Sequence, residues 1–107
     1  MKTIIAGGRN YLMTVEDWKF LSTLDITEVV SGGAQGADKG GEIWAINAKI
    51  PIKKFPADWK RLGRAAGPIR NKEMAEYSEQ AVLFEGGAGT KSMTKLAQYG
   101  GLLVHIR

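Results

Sequence analysis

The chain has 107 residues, of which 44% are hydrophobic and 24% are charged, and its formal net charge is +4. This length predicts a single domain, and the composition excludes disordered, collagen-like and highly charged proteins. No apolar run approaches the roughly 20 residues of a membrane helix, the first residues are too few for a signal peptide, and the chain lacks cysteine. We therefore expect a cytoplasmic protein with no membrane partner and no disulfide.

The order of the predicted elements indicates the fold class. Short segments without glycine predict five strands, over Lys2–Ala6, Glu28–Ser31, Ile50–Phe55, Gln80–Glu85 and Leu102–Ile106. The segments between them predict four helices, over Thr14–Leu24, Ala37–Lys49, Pro68–Ser78 and Lys91–Tyr99. Because strands that alternate with helices form parallel sheets, we predict an α/β fold, a single Rossmann-like three-layer domain over residues 1–107. Its five-stranded, mainly parallel sheet has the expected order 3-2-1-4-5.

Local signals refine three of the helices. The first begins with Thr14-x-x-Asp17, a variant of the capping box in which aspartate replaces the usual glutamate. The second carries a stripe of small residues and one tryptophan that suits close packing on a sheet: Ala37, Gly41, Trp44 and Ala48. In the third, Pro68 suits the first helical position.

Glycine accounts for 14 of the 107 residues, and eight of these glycines lie in loops that follow predicted strands. Three glycine-rich loops follow the first, second and fourth strands, with the sequences Gly7-Gly8-Arg9-Asn10, Gly32-Gly33-Ala34-Gln35-Gly36 and Gly86-Gly87-Ala88-Gly89-Thr90. One such loop is typical of a tight turn, but in the predicted strand order all three meet at one edge, which favours a phosphate site. The ligand-binding candidates in these loops are Gly8, Arg9, Gly32, Gly33, Ala34, Gly36, Gly87, Gly89 and Thr90.

The positive charge is concentrated in one segment. Residues 53–72 contain seven basic residues and one acidic residue, whereas the rest of the chain has eight basic and ten acidic residues. Alone, such a segment is equally typical of a solvated face, but beside a ligand site it attracts anions. Arg70 and Asn71 fall in the first turn of the predicted third helix, where the helix dipole disfavours a cation. We therefore predict that Arg70 binds a phosphate or carboxylate, with Asn71 beside it.

Five ordered motifs carry a family resemblance over nearly the whole chain. They are Ile5-Ala6-Gly7-Gly8-Arg9; Ser31-Gly32-Gly33-Ala34-Gln35-Gly36-Ala37-Asp38 with Trp44-Ala45; Pro56-Ala57-Asp58-Trp59; Gly63-x-Ala65-Ala66-Gly67-x-x-Arg70-Asn71; and Gly89-Thr90. The series resembles the YspA-like branch of the SLOG superfamily, Rossmann-like domains related to the lonely-guy phosphoribohydrolases and to DNA-processing protein A. This resemblance implies a nucleotide or nucleotide-derived ligand, such as an ADP-ribose-related, NAD-related or cyclic-nucleotide signal. It also implies a homo-oligomer, a dimer or a higher assembly.

One motif departs from the hydrolases of this superfamily. Their sequence Pro-Gly-Gly-x-Gly-Thr-x-x-Glu ends in a glutamate that takes part in cleaving the N-glycosidic bond. Here Glu85 stands at the proline position and Met93 at the glutamate position, and a thioether cannot transfer a proton. Met93 also shares a helix face with Leu96 and Ala97, which is typical of a core residue. The sequence therefore favours binding without turnover and leaves enzymatic activity open.

Three further side chains are candidates near the predicted site, and each has a structural alternative. Asp38 either caps the second helix or binds a ribose hydroxyl or a base edge. Asp58 either pairs with Arg61 or Arg64 or contacts the ligand. Trp59 either stacks on a base or covers the core.

Three classes of function follow from these residues. The first is a binding protein that stores, carries, sequesters or senses its ligand. The second is a nucleotide-processing hydrolase that acts on an N-glycosidic or phosphate bond, with Asp38 or Asp58 as general acid or base. The third and weakest is single-stranded nucleic acid binding. Such binding uses several aromatic side chains for stacking, and Trp59 is the one aromatic residue near the centre of the basic segment. We do not expect a nucleic acid partner.

Other sites and cofactors are not expected. The chain has no Gly-Lys dipeptide for a Walker A loop, and Ser92 stands where the dinucleotide fingerprint needs its last glycine. His105, the only histidine, is expected to pack within the last strand, and no metal cluster is expected. Trp18 and Phe20, two residues apart on a helix, cannot both face one core stripe, so we expect one of them to cover a partner subunit.

Overall fold

A computed structural model describes residues 1–107. Its five strands are Lys2–Ala6 (β1), Glu28–Ser31 (β2), Ile52–Lys54 (β3), Gln80–Leu83 (β4) and Leu103–Ile106 (β5). Its five α-helices are Val15–Ser22 (α1), Ala37–Ala48 (α2), Trp59–Leu62 (α3), Ala66–Tyr77 (α4) and Ala88–Tyr99 (α5), and a 3-10 turn over Gly63–Ala65 joins α3 to α4. None of these helices has both the length and the apolar character needed to cross a membrane.

All five strands are parallel and form one sheet in the order β3-β2-β1-β4-β5, which confirms the predicted order. In the centre, Thr3 of β1 lies between Val29 of β2 and Gln80 of β4. The chain adds β2 and β3 on one side of β1 and then adds β4 and β5 on the other side. The topological switch point therefore lies between β1 and β4.

Alternating side chains of the buried strands build a core on each face of the sheet. Ile5 of β1 faces α1 and α2 and lies in a cluster with Leu21 and Trp44. Ile4, its neighbour, faces α4 and α5 and lies in a second cluster with Met93. Because successive strand side chains point to opposite faces, β1 contributes to both cores. The three-layer, Rossmann-like α/β fold predicted from the sequence is confirmed.

The capping box predicted at the start of α1 is present. Thr14 Oγ1 accepts a hydrogen bond from the Asp17 amide at 3.1 Å, and the Asp17 carboxylate accepts one from the Thr14 amide at 3.0 Å. The same carboxylate accepts hydrogen bonds from the Tyr11 hydroxyl at 2.6 Å and from the Arg107 guanidinium at 3.0 Å. Asp17 thus joins three segments: the loop after β1, the start of α1 and the residue that follows β5.

The predicted start of the third helix, at Pro68, was wrong. The chain already turns helically at α3, and α4 begins at Ala66, so that Pro68 is its third residue. The first four amides of a helix have no partner within the helix, so the missing N–H of proline is tolerated there. Arg70 is therefore the fifth residue of α4, and the prediction that it lies in the first turn of the helix was wrong.

Other boundaries differ as well: α1 ends at Ser22 and β4 at Leu83, each two residues earlier than predicted, and two further differences affect the site. α5 begins at Ala88, three residues earlier than predicted, and this places Gly89-Thr90 in its first turn. β3 is limited to Ile52–Lys54, and Pro51 before its first residue cannot donate a ladder hydrogen bond.

Two predictions about helix faces were also wrong. Ala48 is exposed, and the buried side of α2 ends at Ala45. Trp18 and Phe20 both pack against the core cluster that contains Ile5, and the Phe20 ring also meets His105 of β5. The reason for expecting one of these rings to cover a partner subunit is thereby removed.

We predict that Asp17→Asn lowers the free energy of unfolding by about 2–3 kcal/mol at pH 7, because it weakens hydrogen bonds to a charged acceptor. Burial raises the pKa of Asp17, but hydrogen bonds from Tyr11, Thr14 and Arg107 outweigh burial and hold this pKa below its usual value of 3.8. A carboxyl whose pKa falls on folding contributes stability above about pH 4 and loses it in more acidic solution. Urea unfolding at pH 7 and at about pH 3 measures both effects.

The matched control is Glu16→Gln. Glu16 lies 3.7 Å from Lys19 on the exposed side of α1, and such pairs contribute at most about 1 kcal/mol. Equal losses of stability in the two variants would contradict the role of Asp17, as would an Asp17→Asn variant whose stability falls with acid as steeply as the parent's.

Candidate functional site

A cavity of about 860 Å³ opens at the carboxyl ends of the strands, beside the switch point between β1 and β4. All three glycine-rich loops contribute to its wall. They contribute Gly8 and Arg9 from the first loop, Gly32, Gly33 and Ala34 from the second, and Gly87, Gly89 and Thr90 from the third. The structure thus brings together eight of the nine loop residues that the sequence named as candidates.

Backbone hydrogen bonds hold the loops to one another. The Gly8 amide donates to the carbonyl of Glu85 at 2.9 Å, and the Gly8 carbonyl accepts from the amide of Ala37 at 3.2 Å. The third loop leads into α5, where Gly87 occupies the capping position without a side-chain hydrogen bond. The first amides of α5 are therefore available to an anion, at the positive end of the helix dipole.

Arg70 crosses from α4 to the ends of two strands. Its Nη1 donates to the carbonyl of Gly32 at 2.8 Å and to that of Phe55 at 3.4 Å, and its Nε donates to Asn71 Oδ1 at 3.0 Å. Arg70 and Asn71 both line the cavity, as their prediction as ligand-binding residues requires. Because its guanidinium joins the chain after β2 to the chain after β3, Arg70 also shapes the wall of the cavity.

Asp38 is buried in the first turn of α2 and faces the cavity. Its Oδ2 lies 3.4 Å from the Ala34 amide of the second loop. Burial raises the pKa of Asp38, although the amides of Ala34 and Gly7 and the charge of Arg70 act in the opposite direction. The Asp38 carboxyl thus binds the second loop and is the one carboxyl in the cavity wall. There it can accept a hydrogen bond from a hydroxyl group or, when protonated, donate one to it.

Two candidates lie outside the cavity. Gly36 caps α2 with a φ of 75°, and a Cβ there would overlap the carbonyl oxygen of Gly8, so its role is to let the loops approach. Asp58 is exposed and caps α3, accepting from the Arg61 amide at 3.2 Å and from Arg61 Nε at 3.0 Å. The Arg61 side chain and amide hold the pKa of Asp58 below its usual value. Of the alternatives for Asp58, the structure shows the pair with Arg61.

Trp59 lies at the rim of the cavity, although it directly follows Asp58. Its side chain is 59% exposed, and one edge of the indole lies over Gly67, where a Cβ would come within 3.2 Å of Cη2. The ring lines the cavity and does not cover the core. An exposed ring fixed at one edge suits stacking with a planar group.

Met93 and His105 make contacts that are typical of structural rather than ligand-binding residues. Met93 is buried in the cluster between the sheet and the helices α4 and α5, and it forms part of the cavity floor. His105 Nε2 lies 3.0 Å from Gln80 Oε1, and its ring meets Phe20 edge to face at 5.5 Å. No group of three or more histidine, cysteine, aspartate or glutamate residues is placed to hold a metal ion.

Sequence reasoning missed several residues at the cavity. Lys54, Pro56 and Ala57 line it where the chain leaves β3, and the rule that ligands bind beyond the carboxyl ends of strands would have included them. Glu42 lies behind this wall and is buried. The stripe predicted for this helix ran through Gly41 and Trp44, and Glu42 beside it was not singled out.

The fold and the cavity define a Rossmann-like α/β protein with an open cavity at its topological switch point. No family model and no solved structure matches the chain. The Gene 61 protein of Mycobacterium phage D29 is 34% identical to it over 84 residues, which cover 71% of this chain and 67% of the phage protein. The chain therefore belongs to the same family as this phage protein.

We predict that Asp38→Asn raises Tm by a few degrees at pH 7. Since burial raises the pKa of Asp38, ionisation of this carboxyl opposes folding at neutral pH, and asparagine removes that cost while keeping the shape. The gain should shrink toward about pH 4, where the carboxyl becomes protonated in both states. Scanning calorimetry across this pH range measures it.

Asp58→Asn is the control, because the pKa of Asp58 is shifted in the opposite direction. It should not raise Tm at neutral pH. An Asp38→Asn variant that melts at or below the temperature of the parent protein at pH 7 would show that the ionised carboxylate stabilises the fold.

Proposed function

We propose that this protein binds a nucleotide or a nucleotide-derived small molecule in the cavity, and sequesters or senses it by doing so. Candidate ligands are ADP-ribose-related, NAD-related and cyclic-nucleotide compounds. The observation that carries the proposal is the convergence of three glycine-rich loops on one cavity at the switch point, next to the free N-terminus of α5.

The anionic part of the ligand is proposed to lie between the first and third loops. There the amides at the start of α5 and the side chain of Arg9 offer positive charge. Arg9 is exposed and forms no ion pair. A phosphate at this position would therefore gain new charge-assisted hydrogen bonds without breaking existing ones.

The nucleoside part is proposed to lie toward the second loop. Asp38 offers a buried carboxyl for a ribose hydroxyl, and Trp59 offers an exposed ring for a base. The resemblance of five motifs to the YspA-like branch of the SLOG superfamily supports the same ligand class, and we propose membership in that branch. The cavity volume of about 860 Å³ lies in the range of small-molecule sites.

A hydrolase is the second candidate function, and one observation supports it. Asp38 is a carboxyl in the cavity with a raised pKa, which suits a general acid. Asp58, the other candidate for general acid or base, lies outside the cavity and pairs with Arg61. With Met93 buried at the position of the hydrolases' glutamate, we propose binding without turnover.

The remaining expectations stay part of the proposal. We propose that the protein acts in the cytoplasm, as a homo-oligomer, and without a nucleic acid partner. Exposed apolar side chains, such as Ile46 on α2 and Ile106 on β5, offer surface for self-association.

The test is calorimetric titration with a panel of AMP, NAD, ADP-ribose and cyclic dinucleotides. We predict that at least one compound binds and that Arg9→Ala weakens its binding by about 1.5–3 kcal/mol, since a hydrogen bond between charged groups is lost. Arg64→Ala is the matched control, because Arg64 is also exposed but does not line the cavity. Its affinity should equal that of the parent protein.

Chromatography of the same mixtures separates binding from catalysis. Recovery of every compound intact supports the binding protein. Release of a free base or a cleaved phosphate, abolished by Asp38→Asn, would overturn it in favour of the hydrolase. If no compound of the panel binds, the proposed function is wrong.

A further inference from the structure

A buried carboxylate lies directly behind the wall of the cavity. Glu42 is on α2, one turn after Asp38, and is only 5% exposed. Its Oε2 accepts a hydrogen bond from Ser31 Oγ at 2.7 Å, and its Oε1 lies 3.5 Å from Nζ of Lys54. A buried carboxylate needs such partners, because removing it from water is costly.

Lys54 stands between this carboxylate and the cavity. It is the last residue of β3, it pairs with Ser31 in the register of the sheet, and it lines the cavity. Its side chain is 62% exposed, so the ammonium is open to the solvent in the cavity. Arg70, the other cation of this wall, already donates to two backbone carbonyls. Lys54 is therefore the cation of this wall that a ligand can recruit.

We propose that Lys54 contacts a second anionic group of the ligand, at the second-loop end of the cavity, and that Glu42 competes with this group for Lys54, thereby setting the affinity. This inference rests on the proposed function in taking the ligand to be anionic. A separation of 3.5 Å is longer than the roughly 2.7–2.9 Å of a strong charged hydrogen bond. The pair is thus loose enough for a phosphate to draw the ammonium away on its flexible stem.

The sign of a Glu42→Gln substitution follows from two opposing effects. Glutamine keeps the shape and an acceptor for Ser31 but no longer orients Lys54, which weakens anion binding by the entropy of one side chain. It also removes the competitor for Lys54 and a negative charge that repels the bound anion. The second effect is the larger, because Glu42 is itself buried and water screens its charge poorly. Glu42→Gln should therefore tighten anion binding.

The experiment measures the Kd of inorganic pyrophosphate by calorimetry, because this probe carries the anionic chemistry without a nucleoside. We expect Lys54→Ala to weaken binding about tenfold and Glu42→Gln to tighten it about fivefold. Lys53→Ala is the control for the first variant, since the Lys53 ammonium lies over the Phe55 ring, 5.7 Å from its centroid, and does not line the cavity. Glu76→Gln, which removes an exposed charge from the last turn of α4, is the control for the second. Both controls should change Kd less than about twofold.

Each other outcome overturns the inference. It is wrong if Lys54→Ala binds pyrophosphate as well as Lys53→Ala does, if Glu42→Gln binds it no more tightly than Glu76→Gln, or if the parent protein does not bind it. Lys54→Ala changes an exposed side chain and keeps the test decisive should Glu42→Gln fail to fold. Nucleotide binding that is independent of Lys54 overturns this inference alone. Pyrophosphate binding that depends on Lys54, without binding of any nucleotide in the panel, overturns the proposed function alone.

Discussion

The amide of Gly8 donates a hydrogen bond to the carbonyl of Glu85 at 2.9 Å, and this contact brings together the loops after β1 and β4 at the switch point. The two strands are neighbours, so their loops leave the sheet side by side before turning to opposite faces. The approach leaves no room for side chains: a Cβ on Gly7 would lie 2.8 Å from the Cβ atoms of both Ala37 and Phe84. Glycine is required here because the loop after β1 lies so close to Ala37 and Phe84.

The charges around the cavity divide it into two ends. Toward the second loop, cations and carboxylates occur together: Lys54 lies beside Glu42, and the charge of Arg70 acts on Asp38. Toward the third loop, Arg9 and the start of α5 meet no carboxylate of the cavity wall. A ligand with an anionic group at each end and hydroxyls beside one of them matches this division, because the third-loop end offers only positive charge and the second-loop end offers both Lys54 and Asp38.

Much of the fold followed from the sequence, because its signals are local. Strand–helix alternation indicated the parallel sheet, and glycine after the strands indicated the loops that meet. The errors arose where tertiary contacts decide. Asp58 and Trp59 are adjacent in sequence, yet the first pairs with Arg61 outside the cavity and the second lines its rim. Lys53 and Lys54 are likewise adjacent and of the same residue type. Because side chains alternate along β3, only Lys54 lines the cavity.

Amide chemical-shift mapping during titration with ADP-ribose tests the central claim most directly, since the claim is that three loops form one binding site. The account predicts that the largest shifts occur together in all three loops, at Gly8-Arg9, Gly32-Gly33-Ala34 and Gly87–Thr90. It also predicts that residues on the outer side of α5, such as Lys95 and Tyr99, stay unshifted. Shifts that cluster on the outer side of α5, around Lys95 and Tyr99, or that involve one loop without the others, would contradict a shared site at the switch point.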